Sequence, residues 1–158
     1  MEMITNIKRW INAKHLDEVN INIEHLSDLA TNVFGNAYAF DGRGLPIGKI
    51  LVSYSSEPSE GAIAQGLIVG KSYLSINDLV IFKKEWRGIR LGTNLFKTAI
   101  LRLKQDLPDD TIVDGLITDL DVIGFWGKFG FKFANAGERS GFIACRLTEL
   151  RLDEYKNE

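Results

Sequence analysis

The order of helix and strand patterns predicts a mixed α/β (α+β) fold, in which helices flank one central mixed sheet. Strand-like runs precede and follow each internal helix pattern, as expected when helices pack on a sheet. The composition is that of a globular protein, with 45% hydrophobic and 25% charged residues among 158. This length suits one domain with a substantial core, so we expect a single domain over residues 1–158.

The N-terminal region is expected to contain two helices on either side of one strand. Residues 4–16 place apolar side chains near helical spacing, which predicts a helix within an N-terminal extension over residues 1–18. Residues 19–23 (VNINI) alternate like a strand. Residues 25–35 predict a second helix, with Gly35 as its end.

The middle of the chain predicts a hairpin, an insertion and a strong strand. Residues 37–40 and 46–56 have strand patterns around DGRG (41–44), whose Asp-Gly pair suits a tight turn. Residues 57–72 are small and rich in glycine without a clear period, so we expect a loop insertion. YLSINDLVIF (73–82) then predicts the central strand.

The C-terminal part predicts helix, strand, helix and two strands. Residues 91–105 have an apolar side with basic residues outside it, which is typical of a helix packed on a sheet. Residues 111–118 predict a strand, and residues 121–130 a short helix closed by Gly130. The last two strands are expected on either side of a turn at Gly137.

Composition argues against several classes of protein. The formal charge of −2 gives no basic surplus for nucleic-acid binding. No apolar run reaches the roughly 18 residues of a membrane span, and no signal peptide is visible, so we expect a cytoplasmic protein without a membrane partner. Cys145, the single cysteine, lies in an alternating stretch and is interpreted as a core thiol. His15 and His25 show no ligand pattern, so no metal is expected, while a homodimer stays open.

The stretch WRGIRLGT (86–93) joins the strand at 78–82 to the helix that follows. A helix start gathers unpaired backbone N–H groups and positive potential, and glycine lets a ligand approach the backbone. Arg87 and Arg90 add guanidinium groups that suit phosphate oxygens. The stretch therefore fits an anion, a pyrophosphate first of all. The alternative is a basic turn that only caps the helix.

Residues 78–96 (DLVIFKKEWRGIRLGTNLF) resemble motif A of the GCN5-related N-acetyltransferase (GNAT) superfamily. In that family a central strand leads into [Q/R]-x-x-G-x-[G/A], whose backbone amides hold the pyrophosphate of acetyl-CoA. The match runs from Arg87 to Gly92 and is followed by Thr93. It departs from the motif at Arg90, where the family has glycine.

GFWGKFGFK (124–132) resembles motif B of the same family. The residues that match are Phe125, Lys128, Gly130 and Phe131. Asp119 stands where many members have an asparagine that contacts the pantetheine arm. The strand pattern at 111–118 corresponds to the strand that splays from the central one to admit the cofactor. The two motifs and the element order together cover residues 19–147.

The resemblance implies the GNAT fold and direct transfer of an acetyl group from acetyl-CoA to a primary amine. A longer acyl or an aminoacyl group, with the 57–72 insertion shaping its pocket, stays open. The residues that the resemblance assigns to acetyl-CoA binding are Leu79, Val80, Ile81, Arg87, Gly88, Ile89, Arg90, Leu91, Gly92, Thr93, Asp119 and Trp126.

Catalysis would need a base for the amine. Asp78 is the nearest carboxylate on the central strand, where apolar neighbours would raise its pKa and let it act through a water. The alternative is a carboxylate that only fixes the backbone or a neighbouring strand. Glu57 and Glu60 in the insertion are rival candidates.

The leaving thiolate would need a proton. Trp126 occupies the position where the family commonly has a tyrosine acid, and indole cannot deliver a proton at neutral pH. Solvent, Tyr54 or Tyr73 could supply the proton instead. The alternative function is a catalytically inactive module that binds acyl-CoA or another protein.

Overall fold

The computed structural model describes residues 3–4, 19–26, 34–68, 72–82, 86–87, 90–118, 120–135 and 140–152. These residues form an eight-stranded sheet and three α-helices. The strands are β1 (Met3–Ile4), β2 (Asn20–Asn22), β3 (Phe34–Phe40), β4 (Pro46–Ser55), β5 (Tyr73–Ile81), β6 (Ile112–Ile117), β7 (Lys132–Asn135) and β8 (Gly141–Arg146). The helices are α1 (Glu60–Ala64), α2 (Leu91–Lys104) and α3 (Ile123–Gly127).

The sheet has the strand order β1-β2-β3-β4-β5-β6-β8-β7. Neighbouring strands are antiparallel except for β5 and β6, which are parallel. Two parallel neighbours need a crossover connection, and α2 provides it. The predicted mixed sheet with flanking helices is confirmed. None of the helices described has the length and hydrophobicity of a membrane span.

The main core lies between the sheet and the helices α2 and α3. Helix α2 packs on β3, β4 and β5 and buries Leu95, Phe96 and Ile100 completely. The Phe96 ring centroid lies 5.3 Å from that of Trp126 and 4.6 Å from that of Phe129. Aromatic pairs at these separations stabilise beyond their buried area, so this cluster holds α3 against α2.

Helix α1 covers a smaller apolar cluster on β5, β6 and β8. Its members are Ala62, Tyr73, Ile112 and Ala144. Because neighbouring residues of a strand point to opposite faces, Ile112 joins this cluster while Val113 joins the main core. Helix α1 therefore lies on the sheet face opposite α2.

Strand β5 contains a β-bulge and then separates from β6. Leu51 pairs with Asp78 and Val52 with Ile76, so Asn77 is an extra residue in β5. Pairing between β5 and β6 ends at Ile76–Gly115, although β5 continues to Ile81 and β6 to Ile117. The two strands open a gap in the sheet beyond that pair.

The helix predicted over residues 25–35 is wrong where the structure describes it. Only Glu24–Leu26 forms a single 3-10 turn, and Gly35 lies inside β3 rather than at a helix end. Ala37 and Ala39 are fully buried while their neighbours are not. This alternation, together with pairing to β4, makes the segment a strand. Residues 27–33 lie outside the described residues.

The first predicted helix lies almost entirely outside the described residues. Ile4 belongs to β1, where it pairs with Ile21. Residues 5–18 are not among those described, and neither is the turn predicted at Gly137.

The predicted loop insertion at 57–72 contains α1. The Ser59 hydroxyl accepts a hydrogen bond from the Ala62 amide at 3.2 Å and so caps the helix. After the helix, Gln65 Nε2 donates to the carbonyl oxygens of Lys132 at 2.6 Å and Phe142 at 3.2 Å. These bonds to distant strands fix the segment on the sheet, and no local sequence period reveals them.

Helix α1 requires glycine at position 61. A methyl group there would come within 2.6 Å of Asp114 Oδ2, an overlap that forces the backbone or the carboxylate to move. We expect Gly61→Ala to lower the free energy of unfolding by about 1–3 kcal/mol. A melting temperature lower by roughly 2–4 °C per kcal/mol checks this.

Gly124→Ala in α3 is the matched control. A methyl group at Gly124 would meet no described atom within 4 Å, so the helix propensity of alanine should stabilise the protein by about 0.5–1 kcal/mol. Equal melting temperatures for the two variants would contradict the close contact between α1 and β6.

Candidate functional site

A cavity of about 340 Å³ lies where β5 leads into α2. We name it the cationic cavity because two arginines and a lysine line it. Its walls are Ile81, Trp86, Arg87, Arg90, Leu91, Gly92, Thr93, Phe125 and Lys128. It therefore joins residues of motif A to residues of motif B.

Contacts with the cavity walls hold two of its cations in place. Arg87 donates from Nε and Nη2 to the Ile81 carbonyl oxygen, at 3.3 and 3.1 Å. Lys128 Nζ donates to Thr93 Oγ1 at 2.6 Å and lies 4.6 Å from the centroid of the Phe125 ring. Fixed cations bind an anion with less loss of side-chain entropy than free ones.

The start of α2 adds backbone donors to this cavity. Arg90 has φ +70° and ψ +14°, a left-handed conformation that favours glycine. Its carbonyl oxygen accepts from the Asn94 amide at 3.0 Å, but its side chain does not cap the helix. The N–H groups of the first turn and the helix dipole thus add to the positive potential. Cations, amide donors and the Thr93 hydroxyl form a donor set that fits a diphosphate.

A second cavity, which we name the sheet cleft, fills the gap between β5 and β6. Its volume is about 570 Å³. Ser59 and Glu60 line it from the α1 side of the sheet, and Val122 and Trp126 from the α3 side, so the cleft passes through the sheet. The remaining lining residues are Ser75, Ile76, Asn77, Asp78, Leu79, Asp114, Gly115, Leu116, Ile117, Thr118 and Phe142.

The two cavities are neighbours along β5 and α3. On β5, Leu79 lines the sheet cleft and Ile81 lines the cationic cavity. On α3, Trp126 lines the cleft and Phe125 the cavity, and their ring centroids are 4.9 Å apart. An extended ligand with an anionic end can therefore run along β5 from the cavity into the cleft.

Carboxylates lie at the other end of this path. Glu60, Asp78 and Asp114 line the sheet cleft. Asp78 Oδ2 is 3.8 Å from Lys49 Nζ, and the Asp78 side chain is 41% exposed. Asp78 therefore lacks the apolar burial on which its predicted role as a base depended. No group of three or more metal-binding side chains is found in the described part of the chain.

Asp114 is the buried carboxylate of the cleft, with only 4% of the residue exposed. Its Oδ1 accepts from Ser75 Oγ at 2.6 Å, and the Ser59 side chain and the Gly61 backbone also hydrogen-bond to it. Burial raises the pKa of Asp114 above its ordinary value, although the three hydrogen bonds lower it in part.

The structure brings most of the predicted site residues together. The cationic cavity contains Ile81, Arg87, Arg90, Leu91, Gly92 and Thr93, and the sheet cleft contains Asp78, Leu79 and Trp126. Val80 lies between Leu79 and Ile81 on β5 but lines neither cavity. Gly88, Ile89 and Asp119 lie outside the described residues.

Of the other residues considered as the acid or the base, only one lines the cleft. Glu60 lines the cleft, whereas Glu57 is exposed and lines neither cavity. Tyr73 is 1% exposed under α1, and Tyr54 packs on the main core, so neither tyrosine reaches the cleft lining. Trp126 is 7% exposed within the aromatic cluster.

Cys145 is a core thiol, as its sequence setting predicted. It is 5% exposed, and burial, followed by the charge of Glu149, raises the pKa of the thiol to about 11.

Sequence reasoning missed three residues of the site. Lys128 was recognised only as part of motif B, because its contacts with the Phe125 and Phe129 rings, which place it at the cavity, depend on the fold. Asp114 could have been found as an acid inside an otherwise apolar strand pattern. Ser75 gave no signal, because only its pairing with Asp114 places it in the cleft.

Comparison with known proteins shows what this architecture resembles. No protein-family model and no curated protein sequence matches the chain. Among solved structures, an uncharacterized protein from Bacillus halodurans is 13% identical over 87% of this chain and 89% of its own, with a TM-score of 0.59. A GNAT-family acetyltransferase from Staphylococcus aureus is 15% identical over 80% and 74%, with a TM-score of 0.55.

Arabidopsis thaliana Naa50, in complex with the bisubstrate analogue CoA-Ac-MVNAL, is 18% identical over 78% of this chain and 79% of its own, with a TM-score of 0.52. At such low identities a structural likeness establishes the fold and leaves the activity open. The chain therefore has the fold of the GCN5-related N-acetyltransferases, as its two motifs predicted.

Proposed function

We propose that the chain is an acyl-CoA-dependent N-acyltransferase that moves an acetyl group from acetyl-CoA to a primary amine. The observation that carries the proposal is the path from the cationic cavity, at the start of α2, into a cleft that passes through the sheet. A diphosphate fits the first part, and the cleft admits the acceptor from the opposite face. The complex of Naa50 with a CoA-linked bisubstrate analogue supports the same donor.

Each part of acetyl-CoA has residues suited to it. The guanidinium groups of Arg87 and Arg90 and the Lys128 ammonium would hold the diphosphate. Backbone groups of β5 at residues 79–81 would align the pantetheine arm and polarise the thioester carbonyl. The remaining contacts that we assign to the coenzyme are those of Gly88, Ile89, Leu91, Gly92, Thr93, Asp119 and Trp126.

Trp126 decides how the leaving thiolate is handled. The indole N–H can donate a hydrogen bond but cannot supply a proton at neutral pH. The ring is buried among Phe96, Phe125 and Phe131, where it shapes the cleft wall. We infer that the thiolate takes its proton from solvent, and that much of the rate comes from positioning.

A catalytically inactive module that binds acyl-CoA is the second candidate function. Trp126 at the usual tyrosine position favours it, because the family's common acid is then missing. Thermal shift and turnover distinguish the candidates, since binding alone raises the melting temperature by mass action.

Turnover is the direct test of the proposal. We expect acetyl-CoA to raise the melting temperature and at least one primary amine to release free CoA thiol above the rate of spontaneous hydrolysis. The amine panel comprises polyamines, amino acids, aminoglycosides and peptide N-termini, and thiol release is followed with a chromogenic disulfide. A thermal shift without thiol release from any amine would favour the inactive module.

The cationic cavity makes a prediction about affinity. Arg87→Ala should weaken acetyl-CoA binding roughly tenfold, as expected when a charge-assisted hydrogen bond to phosphate is lost. Calorimetry at low and high salt measures it, and the loss should be smaller at high salt because exposed charges are screened. Arg43→Ala, in the turn between β3 and β4, is the matched control and should bind as the wild type does. Equal affinities for the two variants would remove Arg87 from the site.

Arg90 makes a prediction about stability. Because its backbone has φ +70°, Arg90→Gly should raise the free energy of unfolding by about 1 kcal/mol relative to Arg90→Ala. The alanine variant loses the same guanidinium but keeps the unfavourable conformation, so the difference isolates the backbone. Denaturant unfolding gives both values. No difference between the two variants would contradict a left-handed residue at the start of α2.

A further inference from the structure

We propose that Asp114 is the proton acceptor of the acyl transfer and that the Ser75 hydroxyl relays the proton to it, an assignment that rests on the function proposed above. Ser75 is the group of this pair that meets the amine. Asp114 lies behind it and acts through it.

The position of the pair in the sheet supports this role. Ser75 on β5 is the register partner of Asp114 on β6. The next pair, Ile76 and Gly115, is the last before the strands separate. Ser75 and Asp114 therefore lie at the base of the sheet cleft, and both line it.

The contacts of the pair suit a relay. Ser75 Oγ donates to Asp114 Oδ1 at 2.6 Å, a short hydrogen bond of the kind made to a charged acceptor. Ser75 is half-buried, while Asp114 is only 4% exposed, so a ligand in the cleft reaches the hydroxyl before the carboxylate. Bonds from Ser59, the N-cap of α1, and from Gly61 within α1 also hold the carboxylate.

The surroundings of Asp114 make it a better base than an ordinary carboxylate. Burial raises the pKa of Asp114, and a carboxylate with a higher pKa takes a proton more readily. The ionisable groups that share the cleft with it are Glu60 of α1 and Asp78 of β5. Its partner on β8 is Ala144, which carries no charge. Asp78, by contrast, is 41% exposed and lies beside Lys49.

The proposed step balances in atoms and charge. The ammonium form of the substrate first loses a proton to solvent. The neutral amine nitrogen then forms a C–N bond with the acyl carbon as the C–S bond of the thioester breaks, and the electron pair of that bond leaves on sulfur. The surplus proton on nitrogen passes to Ser75 Oγ as the Ser75 proton passes to Asp114 Oδ1. The thiolate then takes a proton from solvent, and Asp114 returns its proton to solvent through Ser75.

The pH dependence follows from the direction of the pKa shift. Asp114 must be ionised to accept a proton, so kcat/KM should fall as pH falls through the pKa of Asp114 in the folded protein. Because burial raises that pKa above the ordinary 3.8, the acid limb should begin at a higher pH than for an exposed aspartate. One amine is used for all variants, so that its own ionisation is common to every profile.

The variants are Asp114→Asn, Ser75→Ala and Ser75→Thr, assayed by CoA thiol release as a function of pH. Asp114→Asn should lower kcat/KM by about 10²–10⁴-fold and remove the part of the acid limb that is due to Asp114, leaving only the part due to protonation of the amine, as expected when a general base is lost. Ser75→Ala should also lose activity, and Ser75→Thr should recover it by restoring the hydroxyl. Ser53→Ala is the control, because Ser53 is the partner of Ser75 on β4 but does not line the cleft. The pH profile of Ser53→Ala should match that of the wild type. Every variant should bind acetyl-CoA with the affinity of the wild type.

A second measurement does not depend on activity. The ¹³C carboxyl resonance of Asp114 should report a pKa above 3.8 in the wild type. The pKa should be higher still in Ser75→Ala, because the Ser75 hydrogen bond lowers it and this variant lacks that bond. If Asp114→Asn does not fold, Ser75→Ala and Ser75→Thr still test the relay.

The outcomes separate this assignment from the proposed function. A wild type that turns over an amine, with Asp114→Asn and Ser75→Ala retaining its kcat/KM and acid limb, would overturn the relay alone. Loss of the acid limb in Asp78→Asn, with Asp114→Asn unaffected, would assign the proton to Asp78 instead. A wild type that binds acetyl-CoA but acylates no amine would overturn the proposed function and the relay together.

Discussion

The separation of β5 from β6 beyond the Ile76–Gly115 pair is the constraint on which the rest of the structure depends. Backbone groups inside a sheet are normally paired with both neighbours. Beyond that pair, β5 stays paired with β4 as far as Ile81 but no longer pairs with β6, and Arg87 donates to the Ile81 carbonyl oxygen instead. Its edge there is open to a ligand. The bulge at Asn77 falls at the same place and turns the remainder of β5.

Helix α1 converts this opening into a site with two different sides. The contact of Gly61 with Asp114 brings α1 against β6, and the Gln65 side-chain amide donates to carbonyl oxygens of β7 and β8. As a result Glu60 lines the cleft on one face of the sheet, while Trp126 lines it on the other. Asp114 thus lies at the base of the cleft and also contacts the helix that forms one of its walls. The packing of α1 is therefore what buries Asp114.

The sequence predicted the elements that local pattern determines and missed those that depend on distant contacts. Strand β5 and helix α2 were predicted because each has a long apolar pattern of one period, and the motifs predicted a diphosphate site between them. The predicted 25–35 helix was wrong at its described ends, and around Gly35 the reason is that pairing with β4 overrides the local spacing. The Ser75–Asp114 pair could not be predicted from local sequence, because parallel pairing brings together residues that are 39 positions apart.

The formal charge of −2 conceals a separation of charge along the proposed reaction path. Cations are collected at the start of α2, and carboxylates line the neighbouring cleft. A diphosphate and an amine, which is a cation in neutral solution, are then attracted to different ends of the same path. The arrangement disfavours either substrate in the place of the other, because each would meet charge of its own sign. Such selection depends on where charges lie in the fold, and no net charge or composition reveals it.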